Sequence, residues 1–362
     1  MALLDSLFGK KKSNKFVGVD IGSSSIKVVQ LSKSKGKVSL DTFGEISLGP
    51  YAQKAAGKSV QLDSMKLTEG LKDLLRESQV DAKSAGFSIP LKSSLVFNMK
   101  MPEVSDSKLD EMVRLEARRY IPVPINEVSL DWSVIPDDLD QDDESVTAED
   151  DRKFLNIMVV AIHKDTLQKY KEVSDNAELD IQFLEIETFS TIRSVLSHDN
   201  GVVAIMDIGA SVTKVYIVEY GVVQKSHVVG VGSQNMLQAL ETQRRLSAIN
   251  EDLNLRHGDA LKEQMNKRLQ TPIDLDRILV EANKVILDFQ KKHRKNIEQV
   301  ILTGGGSILK GIMPYVQKSI ESEITIAHPF SKVETPAFLE NTLRDAGPEF
   351  SVAIGLALRG LR

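Results

Sequence analysis

Asp20-Ile21-Gly22-Ser23-Ser24-Ser25-Ile26-Lys27-Val28 and Asp207-Ile208-Gly209-Ala210-Ser211-Val212-Thr213-Lys214-Val215 agree at six of nine positions and stand 187 residues apart. Each stretch leaves an apolar run, residues 16–19 or 202–206, and enters another, 26–31 or 215–218. That pattern predicts a strand, a tight polar turn and a second strand, used twice. The offset is far longer than a solenoid period, so it points to two related domains facing one another. The turn chemistry suits a polyphosphate. Gly22 and Gly209 let the backbone approach a ligand, and the amides and hydroxyls of Ser23, Ser24, Ser25, Ala210, Ser211 and Thr213 donate to phosphate oxygens. Asp20 and Asp207, at the strand ends, are placed to hold a hydrated magnesium from both sides.

An Asp-x-Gly turn after one apolar run is also an ordinary hairpin. Two matched copies in register carry the inference. A third element supports it: residues 297–302 predict a buried strand, followed by Thr303-Gly304-Gly305-Gly306-Ser307 and a helical stretch over 308–320. Three glycines at a strand-to-helix turn clear a surface for a flat ring or ribose. By contrast, Ala56-Gly57-Lys58-Ser59 imitates the end of a P-loop, but position 52 is Ala and no apolar strand precedes it, so it is set aside.

These residues resemble the actin, sugar-kinase and heat-shock-chaperone ATPase superfamily. Its phosphate 1 motif is similar to residues 20–27, phosphate 2 to 207–213 and the adenosine motif to 303–307. Connect 1 resembles Glu187-Thr188-Phe189-Ser190, and connect 2 resembles Val352-Ala353-Ile354-Gly355-Leu356-Ala357, whose small residues let two helices cross closely. The resemblance covers nearly the whole chain. It implies a two-lobed α/β actin-like ATPase fold with duplicated core domains, binding ATP and Mg2+. Asp20 and Asp207 would orient the metal, Lys27 is a counter-charge or a plain strand lysine, and Gly304, Gly305, Gly306 and Ser307 would face the adenosine. Glu187 is the candidate to align the attacking water, with at most slow hydrolysis expected. A helix whose apolar face is Leu275, Ile278, Leu279, Ala282, Ile286 and Phe289 places Glu281 and Lys284 one turn apart. In the superfamily such a pair reaches ribose and adenine; a surface salt pair is the other reading.

At 362 residues the chain suits two lobes rather than one core. Its 41% hydrophobic and 27% charged residues describe a globular protein. Without Cys there are neither disulfides nor thiolate zinc sites, and the six His are scattered. A formal charge of −5 argues against nucleic acid as the main partner. No apolar run reaches the roughly 18 residues of a membrane span. In residues 1–12 the lysines follow the apolar part, the reverse of a signal peptide, so a cytoplasmic location is expected. That start is either a solvated basic terminus or a weak contact with an anionic membrane surface.

The expected organisation is a flexible basic N-terminus, 1–14; a first core subdomain, 15–91 and 183–200; an inserted α+β module, 92–182; a second core subdomain, 201–234 and 299–362; and a helical lid, 235–298. The first core subdomain reads as strands near 16–20, 26–32 and 37–45 and a helix over 66–78. Within the module, strands are expected at 95–101, 128–135 and 154–162. A helix carries Leu109, Met112, Val113, Ala117 and Tyr120, with Ser107 and Asp110 as a possible capping box. Residues 137–151 hold nine acidic residues in fifteen and read as a solvated loop.

The stretch Arg114-Leu115-Glu116-Ala117-Arg118-Arg119-Tyr120-Ile121-Pro122 is similar to the Glu-Ala-x-x-Tyr-Ile-Pro segment of the PilM family of type IV pilus assembly, and Ala327-His328-Pro329-Phe330 fits that family's Asn-Pro-Phe with one change. Gly230-Val231-Gly232-Ser233 departs from its usual Gly-Gly pair. Membership implies a cytoplasmic adaptor peripheral to the inner membrane. Such an adaptor binds the cytoplasmic N-terminal tail of a PilN-like membrane protein and links it to the pilus motor ATPases. The alternatives are a filament-forming actin homologue like the sister family FtsA, or a small-molecule kinase of the superfamily.

Overall fold

The computed structural model describes residues 14–135, 154–197, 201–237 and 273–362. The basic start, the acidic run at 137–151 and most of the expected lid lie outside the described residues.

The chain opens with β1 (Lys15–Ile21), β2 (Ser25–Ser34) and β3 (Lys37–Ser47), then α1 (Ser64–Glu77) and β4 (Ser84–Ile89). The module contributes β5 (Ser94–Pro102), α2 (Asp106–Ala117), β6 (Val128–Ile135) and β7 (Phe154–His163). Next come α3 (Lys164–Asn176), β8 (Asp180–Ile186) and α4 (Glu187–Val195). The second lobe has β9 (Val202–Ile208), β10 (Thr213–Glu219), β11 (Val222–Val229), α5 (Ile273–His293), β12 (Gln299–Thr303), α6 (Ile312–Ser319) and β13 (Glu323–Ile326). The chain closes with α7 (Glu340–Ala346) and α8 (Ser351–Gly360).

The first sheet has the order β3-β2-β1-β4-β8 and the second β11-β10-β9-β12-β13. In both, an antiparallel three-strand meander continues into two parallel strands. The likeness of nine residues therefore extends to five strands per lobe. Among these strands, β4, β8, β11 and β13 were not among the strands expected from sequence.

Period-two alternation splits the first sheet between two cores. Val17, Val19, Ile26 and Val28 face a cluster containing Leu71 of α1 and Val173 of α3. Phe16, Val29 and Leu31 face Ala353, Leu356 and Ala357 of α8. In the second lobe, every apolar residue expected on the face of α5 is buried against Met206, Val215 and Ile217. The α4–α8 crossing is as close as connect 2 predicted: a side chain at Gly355 would collide with the Ser190 backbone. Beside it, buried Glu185 accepts two hydrogen bonds from Arg193 and one from Arg359, each at 2.7 Å, and one from Ser190. Burial alone would raise the Glu185 carboxyl, but the two guanidinium groups hold it below its usual range.

The module forms a three-stranded sheet, β5-β7-β6. On one face Ile157 and Val159 pack with Val113 and Ala117 of α2; on the other, Met158, Val160 and Ile162 join the first-lobe core. The module is therefore shorter than the expected 92–182. Tyr170 and Val173 of α3 belong to the first-lobe core, and β8 is the fifth strand of its sheet. The cap of α2 also differs: Ser105 is the N-cap residue, so Ser107 lies in the first turn. Asp110 instead accepts from the Trp132 indole N–H at 2.9 Å and from Arg114 at 2.8 Å.

Candidate functional site

A cleft of about 840 Å³ opens between the lobes, floored by the two duplicated turns. The turns have the same construction. Gly22 N–H donates to the Ser25 carbonyl at 2.9 Å, and Gly209 N–H donates to the Val212 carbonyl at 3.0 Å. They meet at their tips, where Ser211 Oγ donates to Ser23 Oγ at 3.1 Å. Amides and hydroxyls from both lobes therefore converge on one space, as binding of a polyphosphate requires.

The glycine loop after β12 forms an adjoining wall. Gly304 has φ of +80°, and a side chain there would strike the Asp207 carboxylate. Gly304 and Gly305 line the cleft, but Gly306 and Ser307 do not. Gly306 donates its N–H to the Ile208 carbonyl at 2.8 Å, and Ser307 Oγ donates to the Gly304 carbonyl at 2.7 Å. These two residues shape the loop from beneath. Thr213 does the same for the second turn: wholly buried, it donates to the Val231 carbonyl at 2.9 Å.

The charges are unequal between the two turns, although both aspartates sit directly across a strand pair from a lysine, Asp20 from Lys27 and Asp207 from Lys214. Lys27 turns to Glu45 at 2.9 Å and to Ser25 Oγ at 2.7 Å. Asp20 is left to accept from Ser88 Oγ at 2.7 Å. Burial, then the nearby Glu187, pushes the Asp20 carboxyl up to about 6, against the pull of Lys27 and Lys214. Lys214 Nζ lies 2.7 Å from Asp207 and 2.6 Å from Glu187, with 8% of its side chain exposed. Burial pulls the Lys214 ammonium down, but the two carboxylates outweigh it and hold it well above its usual value. The other Glu187 oxygen accepts the Leu91 N–H at 2.8 Å.

At the rim, Glu45 and Glu349 lie together beside Lys27. Burial and then the Glu45 charge raise the Glu349 carboxyl; burial opposes but does not prevent the lowering of Glu45 by Lys27. Lys54, Lys92 and Lys169 add positive charge to the first-lobe wall. Lys214, Ser88, Glu45 and Glu349 were all missed in the sequence. Of these only Lys214 carried a signal, its identical place to Lys27 in the repeat.

Glu281 and Lys284 do not line the cleft; Glu281 pairs with His227 Nε2 at 3.1 Å. The described residues fit a nucleotide: two donor-rich turns, a glycine wall and flanking lysines. They do not fit a magnesium shared by Asp20 and Asp207. Asp207 is committed to the Lys214 ammonium at 2.7 Å, which would oppose a second cation there.

Residues 18–361 match the family described as type IV pilus assembly protein PilM. The chain is similar to a solved PilM–PilN type IV pilus biogenesis complex: 22% identical, covering 97% of this chain and 100% of that one, with a TM-score of 0.73. It is also similar to ethanolamine utilization protein EutJ from Carboxydothermus hydrogenoformans, at 13% identity over 99% of this chain and 94% of that one, TM-score 0.51. A curated relative, cell division protein FtsA of Enterococcus faecalis (strain ATCC 700802 / V583), is 20% identical over 361 residues, 88% of this chain and 79% of that protein. The fold is the actin-like ATPase fold.

Proposed function

Because the chain belongs to the PilM family of type IV pilus assembly proteins, we propose that it is an ATP-binding adaptor at the cytoplasmic face of the inner membrane. It docks the cytoplasmic N-terminal tail of a PilN-like membrane protein and connects it to the pilus motor ATPases. The supporting observation is agreement along nearly the whole chain with a PilM structure solved with PilN. The cleft supplies the second half of the reading. Donors from both lobes meet at Ser23 and Ser211, so an occupied cleft favours one relative orientation of the lobes. Among the described residues no helix is long and apolar enough to cross a membrane; in this reading the PilN-like partner supplies the attachment. Glu187 remains the candidate for water alignment, but both its oxygens are engaged. Turnover is accordingly slow and occupancy is the signal.

The docking face proposed is the module. Tyr120, 48% exposed, stacks on Phe97 of β5 with ring centroids 4.9 Å apart. Phe97 packs on the module core together with the half-buried Leu95, Val123, Ile125 and Leu130. Both β5 and β6 are edge strands of their sheet, so an extended tail gains backbone hydrogen bonds as well as apolar pockets. Fluorescence anisotropy of a labelled PilN-like tail peptide against the whole protein tests this. Tyr120→Ala should weaken the peptide about tenfold or more, as truncation of a buried aromatic anchor does, with ATP affinity unchanged. Undiminished peptide binding would remove this face from consideration.

A further inference from the structure

We infer that Lys214 is a tethered cation standing in the place of a divalent metal, so that the cleft holds its nucleotide without magnesium and Glu187 is kept from acting as a base. The inference rests on the nucleotide reading of the cleft and adds how its charge is balanced.

Lys214 lines the cleft between the lobes. It reaches Asp207 within its own lobe and Glu187, the first residue of α4, in the other. A magnesium ion needs near-octahedral oxygen coordination at roughly 2.0–2.1 Å, with its waters held by free carboxylate oxygens. Of the two carboxylates expected to hold those waters, Asp207 already has an ammonium at 2.7 Å, which it shares with Glu187 at 2.6 Å. Only Asp20, bonded to the Ser88 hydroxyl, is left to the ion. A divalent ion brought between them would meet that positive charge. An ammonium has three N–H donors; two serve Asp207 and Glu187, which leaves one for a phosphate oxygen. A base offers a lone pair to the water it deprotonates. Glu187 Oε1 already accepts from the Leu91 amide and Oε2 from Lys214, so each oxygen keeps one of its two lone pairs and a water would share the carboxylate with an ammonium. The first turn shows that this arrangement is particular to the second: Lys27, at the same place in the repeat, turns to Glu45 instead.

The test is titration of the whole protein with a fluorescent ATP analogue in magnesium and in excess EDTA. Wild-type dissociation constants should agree within about threefold in the two buffers, since a built-in cation supplies the charge. Lys214→Ala should bind about tenfold or more weakly in EDTA and recover with magnesium. Without nucleotide, manganese should raise the melting temperature of that variant and leave the wild type unmoved. Wild-type binding that collapses in EDTA overturns the inference while preserving the nucleotide reading. An unchanged magnesium-to-EDTA ratio in the variant overturns it too. Absence of binding in both buffers overturns the nucleotide reading and the inference with it. Should the variant fail to fold, the wild-type comparison alone decides.

Discussion

Asp20 and Asp207 occupy equivalent places in a duplicated turn and live in opposite electrostatic surroundings. Asp207 has an ammonium at 2.7 Å; Asp20 has a serine hydroxyl and the field of Glu187. The folded state therefore keeps the Asp20 proton up to pH about 6, whereas an unfolded aspartate releases it near 3.8. More protons are bound folded than unfolded in that window, so this group makes stability fall as pH rises from about 4 to about 6. Above it the ionised carboxylate costs up to roughly 3 kcal/mol. Asp20→Asn should stabilise the nucleotide-free protein by up to that amount at pH 7.5 and give no gain below pH about 4. Paired urea melts at the two pH values check this; an equal gain at both would separate the effect from titration. At this scale the sequence placed the turn residues well, because backbone donors belong to the turn itself. It did not reveal the role of Lys214. Which carboxylate a cross-strand lysine takes is decided by Glu187, brought from the other lobe.

At the scale of elements, the crossing of α4 and α8 depends on one missing side chain. Gly355→Ala pushes a methyl group into the Ser190 backbone and strains the hydrogen bond from Arg193 to the Gly355 carbonyl, 3.0 Å long. Overpacking of this kind costs about 1–3 kcal/mol, which a lower urea midpoint with an unchanged slope would report. A midpoint equal to wild type would mean that the helices separate freely. Small residues in sequence announced this crossing, apolar runs beside the repeated turn announced β1 and β2, and alternation announced β5. The missed strands share another character. Residues of β4, Ser84-Ala85-Gly86-Phe87-Ser88-Ile89, are all buried and show no alternation, and β8 is buried from residue 181 to 186; β11 carries Gln224-Lys225-Ser226-His227 in its middle; β13 has four residues. Their strand state is imposed by neighbours in the sheet. The repeat could have recovered β11, since the 187-residue offset carries β3 onto it.

At the scale of the molecule, the two lobes share a topology but differ in how they are completed. One face of the second-lobe sheet, beneath α5, packs among residues between 202 and 324. On its other face Val203, Ile205, Tyr216 and Val218 join the cluster that holds Val17 and Val19 of the first lobe. The first-lobe sheet leaves Phe16, Val29 and Leu31 to be covered by Val352–Leu361. Removing everything after residue 346 should therefore loosen the first lobe while the second keeps its core. Hydrogen exchange should show early loss of protection in β1 and β2 and retained protection in β9 and β10; equal loss in both lobes would indicate one cooperative unit. The module strands Met158, Val160 and Ile162 also seat on that first-lobe core, so loosening there would reach the proposed docking face.

That placement of α8 has a consequence during synthesis. Domains generally fold as they leave the ribosome, N-terminal first. Here β1 waits for α8, with more than three hundred residues translated in between. The core beneath α5 in the second lobe, which draws on residues no further than 324, can close sooner. An apolar sheet face is thus on offer to chaperones throughout elongation, and a chain stalled late in translation would carry a closed core beneath α5 behind an unfinished first lobe.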